Sequence, residues 1–239
     1  MKKTRKRLTR PIEFDIRGAE RALHRLRRHK SFEARADSIS RLFLGRAYLE
    51  NPLGGGPDQR EMFRCSFDEF DCVTYVEIVL SLACSKTASR FSRTLRDLRY
   101  QKGIVDWVRR NHFMAEWLRT NAERGVLADI TTGRESIAKT RTLSGVPGIR
   151  PKQTTFRCFP KRTFARVSST IQTGDVIMFV STKKHLDVFH AGILIRRGKQ
   201  ILLRNAARSA GKVIEQDVRE FLRANRMSGF ILARPVCRP

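Results

Sequence analysis

Between Glu69 and Ala83 the apolar residues Val73, Val76, Leu80 and Ala83 recur at i, i+3, i+7 and i+10. That spacing is one face of a 3.6-period helix, and Ser66-Phe-Asp-Glu69 ahead of it predicts a capping box. Upstream, Ser31 to Ala47 also follows a helical period, with Phe32, Ile39, Leu42 and Phe43 on one face among Arg and Asp. The stretch Asn51-Pro-Leu-Gly-Gly-Gly-Pro-Asp58 separates the two as a loop. Residues 91–125 continue in helical rhythm, with Trp107, Phe113 and Trp117 as bulky apolar anchors. Residues 131–172 are polar and turn-rich and carry little period.

The last third changes character. Gly174-Asp175 opens the apolar run Val-Ile-Met-Phe-Val180, followed by strand patterns over Val188–Ile195, Gln200–Ala206 and Gly229–Val236. Arg196-Arg-Gly-Lys199 reads as a turn, Val213-Ile214 as an extension of the sheet, and Asp217 to Ala224 as a short helix. Helices first and an antiparallel sheet afterwards predict an α+β architecture.

Composition narrows the picture. A chain of 239 residues with 41% hydrophobic residues can bury a real core, which excludes wholesale disorder. No run of roughly 18 apolar residues is present, so no membrane-spanning helix is expected. The net charge is +26, and such a balance points first to an anionic partner such as nucleic acid. No helix-turn-helix, zinc or aromatic RNA-binding signature accompanies the charge, so no specific nucleic acid is expected. Residues 1–30 hold twelve Lys/Arg against three acids and read as a basic N-terminal arm, partly helical or disordered, ahead of a single domain over 31–239. Its first ten residues are followed by no apolar run. The reading is therefore of a bacterial chain without a Sec-type leader, cytoplasmic at synthesis.

The five cysteines, at 65, 72, 84, 158 and 237, are odd in number and widely spaced, and no CxxC occurs. Neither a zinc site nor a disulfide framework is expected from them, and a single functional thiol fits better. Cys72 is that candidate, because it falls where the predicted helix begins. The partial positive charge and free N–H groups of a helix start favour thiolate over thiol. Cys84, deeper in the same helix, reads as core packing. A thiolate needs a base, and His190 sits mid-strand before the small pair Ala191-Gly192, with alternation placing Val188 and His190 on one face. An imidazole in turn needs an orienting partner, and Asn205 on the next predicted strand can supply a carbonyl for the far ring nitrogen. His24, His29 and His185 read as surface residues.

The segment Glu69-Phe-Asp-Cys-Val-Thr-Tyr-Val-Glu-Ile-Val-Leu-Ser-Leu-Ala83 resembles the nucleophile helix of the NlpC-type cell-wall cysteine hydrolases, in particular their N-acetylmuramoyl-L-alanine amidase-like branch. Phe43-Leu-Gly-Arg-Ala-Tyr48, Leu98-Arg-Tyr-Gln-Lys-Gly103, Arg110-Asn-His-Phe-Met-Ala-Glu-Trp117, Leu186-Asp-Val-Phe-His-Ala-Gly-Ile193 and Gly229-Phe-Ile-Leu-Ala-Arg-Pro235 match in the same order, over residues 38–236. The resemblance implies a papain-like NlpC-type core, its nucleophile helix packed on an antiparallel sheet, with helical N-terminal and middle insertions. It implies Cys72 as nucleophile, His190 as base and then acid, and Asn205 as orienting residue, with no metal or other cofactor. Asp71, Tyr75, Asn111, His112 and Trp117 are the candidates for substrate contact. The implied substrate is a peptidoglycan fragment, cut at the amide between N-acetylmuramic acid and L-Ala. Related enzymes instead cut between D-Glu and a diamino acid. The chain departs from the family at Phe189, where a small polar residue is usual, and at Asn205-Ala206-Ala207, where the family has His-Ala-Ser. Action on envelope material after export by a non-Sec route, with the positive charge drawing the enzyme to an anionic envelope surface, completes the expectation.

Overall fold

A computed structural model describes residues 14–237. The chain opens with α1 (Ile16–Leu26) and α2 (Phe32–Leu42), then passes through the two-residue strands β1 (Ala47–Tyr48) and β2 (Glu69–Phe70) into α3 (Cys72–Ala83). Next come α4 (Ala88–Arg99), α5 (Met114–Glu123) and β3 (Leu127–Asp129). A separate hairpin, β4 (Ile137–Leu143) and β5 (Lys152–Cys158), and the short helix α6 (Phe164–Val167) follow. The chain ends in β6 (Val176–Val180), β7 (Val188–Arg197), β8 (Gln200–Ala207), β9 (Lys212–Asp217), α7 (Val218–Ala224) and β10 (Gly229–Pro235).

The main sheet has eight strands in the order β2-β1-β9-β8-β7-β6-β10-β3, antiparallel except for the β1/β2 pair. Two hydrophobic layers cover it. On one face Val176, Met178, Ala191, Ile193 and Ala206 pack under α3 and the other N-terminal helices. On the other, Ile177, Phe179, Leu194 and Leu203 pack with Val218 and Leu222 of α7 and with α6. The α+β expectation therefore holds, and among the described residues no helix is long and apolar enough to cross a membrane.

Several local expectations are corrected. The capping box belongs to Asp71 and Thr74, not to Ser66 and Glu69: Asp71 Oδ1 accepts from the Thr74 amide at 2.7 Å, and the Asp71 amide donates to Thr74 Oγ1 at 3.0 Å. Residues 91–125 break into α4 and α5 with turns at Gln101–Gly103 and Trp107–Arg109 between them, because Lys102 adopts φ 55° and Gly103 φ 66°. The patternless 131–172 stretch contains the β4–β5 hairpin. Residues Ile16–Leu26 of the expected arm form a helix whose Ala19, Ala22, Leu23 and Leu26 enter the α3-side core, while Lys2 to Arg10 lie outside the described residues. Cys84, the C-cap of α3, is joined by a disulfide to Cys237 beyond β10, against the expectation of an unbridged core thiol.

Candidate active site

Cys72 is the first residue of α3, and its position follows from the cap one residue earlier. Asp71 takes extended backbone and ties its carboxylate to Thr74, which starts the helix at Cys72 and leaves the first amides free. Cys72 is half-buried as a residue with its thiol turned inward, where the amides of Cys72, Val73 and Ala191 act on it. The third of these is set by the sheet. The Leu194 amide faces β6 and donates to Asp175 O at 2.8 Å, so alternation turns the amides of Ile193 and Ala191 toward β8. The β7–β8 ladder stops at Ile193 opposite Arg204, so the Ala191 amide lies beyond it and acts on the thiol instead.

The same end of β7 carries His190. Phe179 pairs with His190 but Val180 pairs with Val188, so Phe189 is an extra residue in the strand, a β-bulge. The bulge reverses the expected parity: Val188 stays in the layer under α3, while His190 turns to the opposite face, beside Phe179 and Phe221 at ring-centroid distances of 6.1 and 5.5 Å. It also turns Phe189 outward, 37% exposed. Asn205 Nδ2 stands 3.0 Å from His190 Nε2, and Asn205 Oδ1 is buried without a partner. Gly192 makes that contact possible. A Cβ there would stand 2.7 Å from the Arg204 carbonyl oxygen and 3.1 Å from the Asn205 Cβ. Gly192→Ala is expected to force β7 and β8 apart at a cost of about 1–3 kcal/mol. Denaturant titration together with the Asn205-dependent rate checks it.

Burial dominates both ionisations. The Cys72 thiol is pushed up to about 12, first by desolvation and then by the neighbouring Asp71 charge, against the pull of the three amides. His190 is pulled down to about 4 by desolvation. Burial thus opposes the thiolate that the helix start favours, and at neutral pH it leaves a neutral thiol and a neutral imidazole. Among the described residues no hydrogen bond joins the two side chains. The Ala191 amide that acts on the thiol is next in the chain to His190.

The structure separates the expected substrate contacts. Asp71 is the helix cap, its carboxyl raised chiefly by burial. Tyr75 is fully buried, donating to Ser40 O at 3.2 Å, and Trp117 is fully buried in the core, so neither offers an atom to a cleft. Asn111 is buried and donates to Leu98 O at 3.2 Å. His112 Nε2 donates to Trp107 O at 2.7 Å, with burial lowering its pKa, and its ring stands edge-on to Trp107. Asn111 and His112 brace the turns between α4 and α5, and among the described residues no hydrogen bond or ring contact ties them to Cys72, His190 or Asn205. Tyr48 on β1 went unread as a site residue. Its phenol is raised by burial first and then by the charges of Cys72 and Asp71, which places it beside the thiol. The available signal was the segment Phe43–Tyr48, matched only as a stretch upstream of the nucleophile.

Comparisons with known proteins extend this geometry. The model of the AmiA-like family, described as N-acetylmuramoyl-L-alanine amidase-like, matches residues 38–230. A solved protein from Legionella pneumophila is 23% identical, with a TM-score of 0.78 over 92% of this chain and 96% of its own. A Bacteroides uniformis structure described as an N-acetylmuramoyl-L-alanine amidase is 23% identical, with a TM-score of 0.74 over 84% of this chain and 98% of its own. A Bacteroides fragilis chain assigned provisionally to the xylanases is 23% identical, with a TM-score of 0.73 over 82% of this chain and 99% of its own. At these identities the structures establish a shared fold. Comparison with curated proteins gives no match.

Proposed function

The chain belongs to the N-acetylmuramoyl-L-alanine amidase-like family, and from that membership we propose that it is a cysteine amidase of peptidoglycan fragments, built on a papain-like NlpC-type core. The observation that carries the reading is the Cys72 thiol at a helix start, hydrogen-bonded by the amide that follows an Asn-paired histidine. The scissile bond is the amide between the lactyl group of N-acetylmuramic acid and L-Ala.

The reaction begins from neutral partners. Oδ1 and Nδ2 of Asn205 exchange places on a half-turn of the amide, so Oδ1 can face the ring and accept from Nε2–H, leaving the Nδ1 lone pair for the thiol proton. His190 takes that proton through one bridging water at the open end of the β7–β8 ladder as Cys72 Sγ attacks the carbonyl, and the amides of Cys72 and Val73 at the helix start stabilise the oxyanion. The imidazolium then protonates the leaving L-Ala nitrogen. Water, activated by the same imidazole, resolves the thioester to the muramic acid carboxylate and free thiol.

A base with a pKa near 4 gives the pH dependence its sign. His190 must be unprotonated to act, so kcat/KM is expected to stay level through neutral pH and to fall as the pH drops through about 4. Alkylation of Cys72 by iodoacetamide is expected to be slow at pH 7 and to climb through the alkaline range, since the thiol holds its proton to about 12. A fast alkylation plateau near pH 6 would refute the neutral pair. Asn205→Ala is expected to lower kcat by about 10²-fold, with KM little changed, because the ring loses its fixed tautomer.

Digestion of muropeptides by wild-type and Cys72→Ala protein, read by mass spectrometry, tests the assignment. Free disaccharide released by wild type alone supports the amidase. Cleavage after D-Glu, with L-Ala still on the sugar, moves the bond to the endopeptidase position.

A further inference from the structure

We propose that the basic groove between β4 and the loop linking β6 to β7 binds the carboxylates of the leaving peptide, an acidic stem carrying D-Glu and a diamino acid. The inference rests on the amidase reading and names where that substrate's peptide half lies. Lys139, Thr140, Arg141, Thr142, Lys184 and His185 line a space of about 660 Å³, and no Asp or Glu lines it. Arg141 is the brace: its guanidinium donates to the carbonyls of Ser181, Lys183 and Leu186 and to Ser228 Oγ, which fixes the loop to the hairpin. The Ser144 amide adds a bond to His185 O at 3.1 Å. Arg141 also faces the buried carboxylate of Asp187 at the end of the loop, whereas Lys139 and Lys184 form no ion pair among the described residues, although Lys152 of the same hairpin is paired with Glu116. Lys139 on β4 and Lys184 on the loop thus stand without ion-pair partners among the described residues, in a chain that ties down many of its other basic groups.

Position supplies the substrate. The loop ends where the Ser181 amide meets Asp187 O at 2.8 Å, and β7 then runs directly into the bulge and His190. His190 is five residue steps beyond His185, a span of about 16 Å at strand rise. As general acid, His190 must reach the departing nitrogen, so the leaving peptide lies on its side of the scissile bond. An extended peptide advances up to about 3.5 Å per residue, which carries the carboxylates of its second and third residues and its C-terminus about 7–14 Å from that nitrogen. On this proposal the two lysines stand at the carboxylates of that extended stem.

The test compares synthetic disaccharide-L-Ala-D-Glu-diamino acid with the same compound carrying amidated carboxylates, using the full chain. The variant is Lys139→Gln with Lys184→Gln. It is expected to raise KM for the acidic stem about tenfold, to leave kcat near wild type, and to weaken the salt dependence. On the amidated stem wild type and variant should agree. Equal behaviour on the acidic stem, or an equal loss on both stems, overturns the groove. Calorimetry of the free tripeptide with Cys72→Ala protein keeps the two ideas apart. If wild type releases no disaccharide but the lysine changes still weaken tripeptide binding about tenfold, the amidase reading fails and the groove stands. If turnover is intact and neither KM nor tripeptide binding moves, the groove fails alone.

Discussion

Replacing Cys72 with alanine is expected to lower the release of peptide from muropeptides by about 10⁴-fold or more while leaving the fold intact. The reasoning starts from what the side chain holds up. Cys72 is the first residue of α3 and partly exposed, and the cap that starts the helix is made by Asp71 and Thr74, which the substitution does not touch. The melting temperature should therefore move by no more than a few degrees. What disappears is the only protein atom in the proposed reaction that forms a bond to carbon. His190→Ala should be comparably inactive. The double variant should be little worse than either single one, because nucleophile and base act as a unit. Cys72→Ser is a sharper probe. It keeps the three amide donors around the side chain, but its hydroxyl gives up a proton far less readily than a thiol, and His190 with a pKa near 4 is a weak base. Near-complete loss is expected there too. Undiminished turnover in Cys72→Ala would remove the cysteine mechanism.

Helix α3 and strands β6, β7, β8 and β10 were legible in the sequence because each buries a face or is buried on both, and burial writes a period into the chain. The β4–β5 hairpin was not legible for the complementary reason. Its residues are exposed or half-buried apart from Leu143 and Cys158, so alternation has no core side to mark. The nucleophile and the Asn–His pair could be named, but the face of His190 could not. One bulged residue, Phe189, inverts the parity of the strand, and a bulge is a property of pairing with β6 rather than of β7 alone. The ionisation of Cys72 was only half legible, because a helix start speaks locally for thiolate, whereas desolvation and the Asp71 charge act through the folded surroundings. The Cys84–Cys237 bridge spans 153 positions, a pairing that only the docking of the chain's end against α3 creates. Tyr75 and Trp117 show the same limit from the other side: polar-edged aromatics on the matched segments look like ligand contacts until the packing fills around them.

Behind the nucleophile, Arg99→Met is expected to destabilise the protein by about 3–5 kcal/mol, by stranding Glu77. Arg99 is 1% and Glu77 2% exposed, and Nε donates to Glu77 Oε2 at 2.8 Å while Nη1 donates to Arg64 O at 2.6 Å. The pair links α4 to α3 within the core that also positions Cys72. Burial raises the Glu77 carboxyl from its usual range, and Arg99 is what pulls it back. Without the arginine, Glu77 must either stay charged in an apolar layer or take up a proton. Its folded pKa then rises further above the unfolded value, so protonation stabilises the folded form, and the deficit should shrink as the pH falls. Denaturant curves at pH 8 and pH 5 are expected to show the larger loss at pH 8. Adding Glu77→Gln to Arg99→Met should recover a substantial part of the loss and flatten the pH difference, because the stranded charge is gone. If Arg99→Met costs the same at both pH values, lost packing rather than an unpaired carboxylate accounts for the damage, and the pair is a filler of space instead of an electrostatic tie beneath the nucleophile helix.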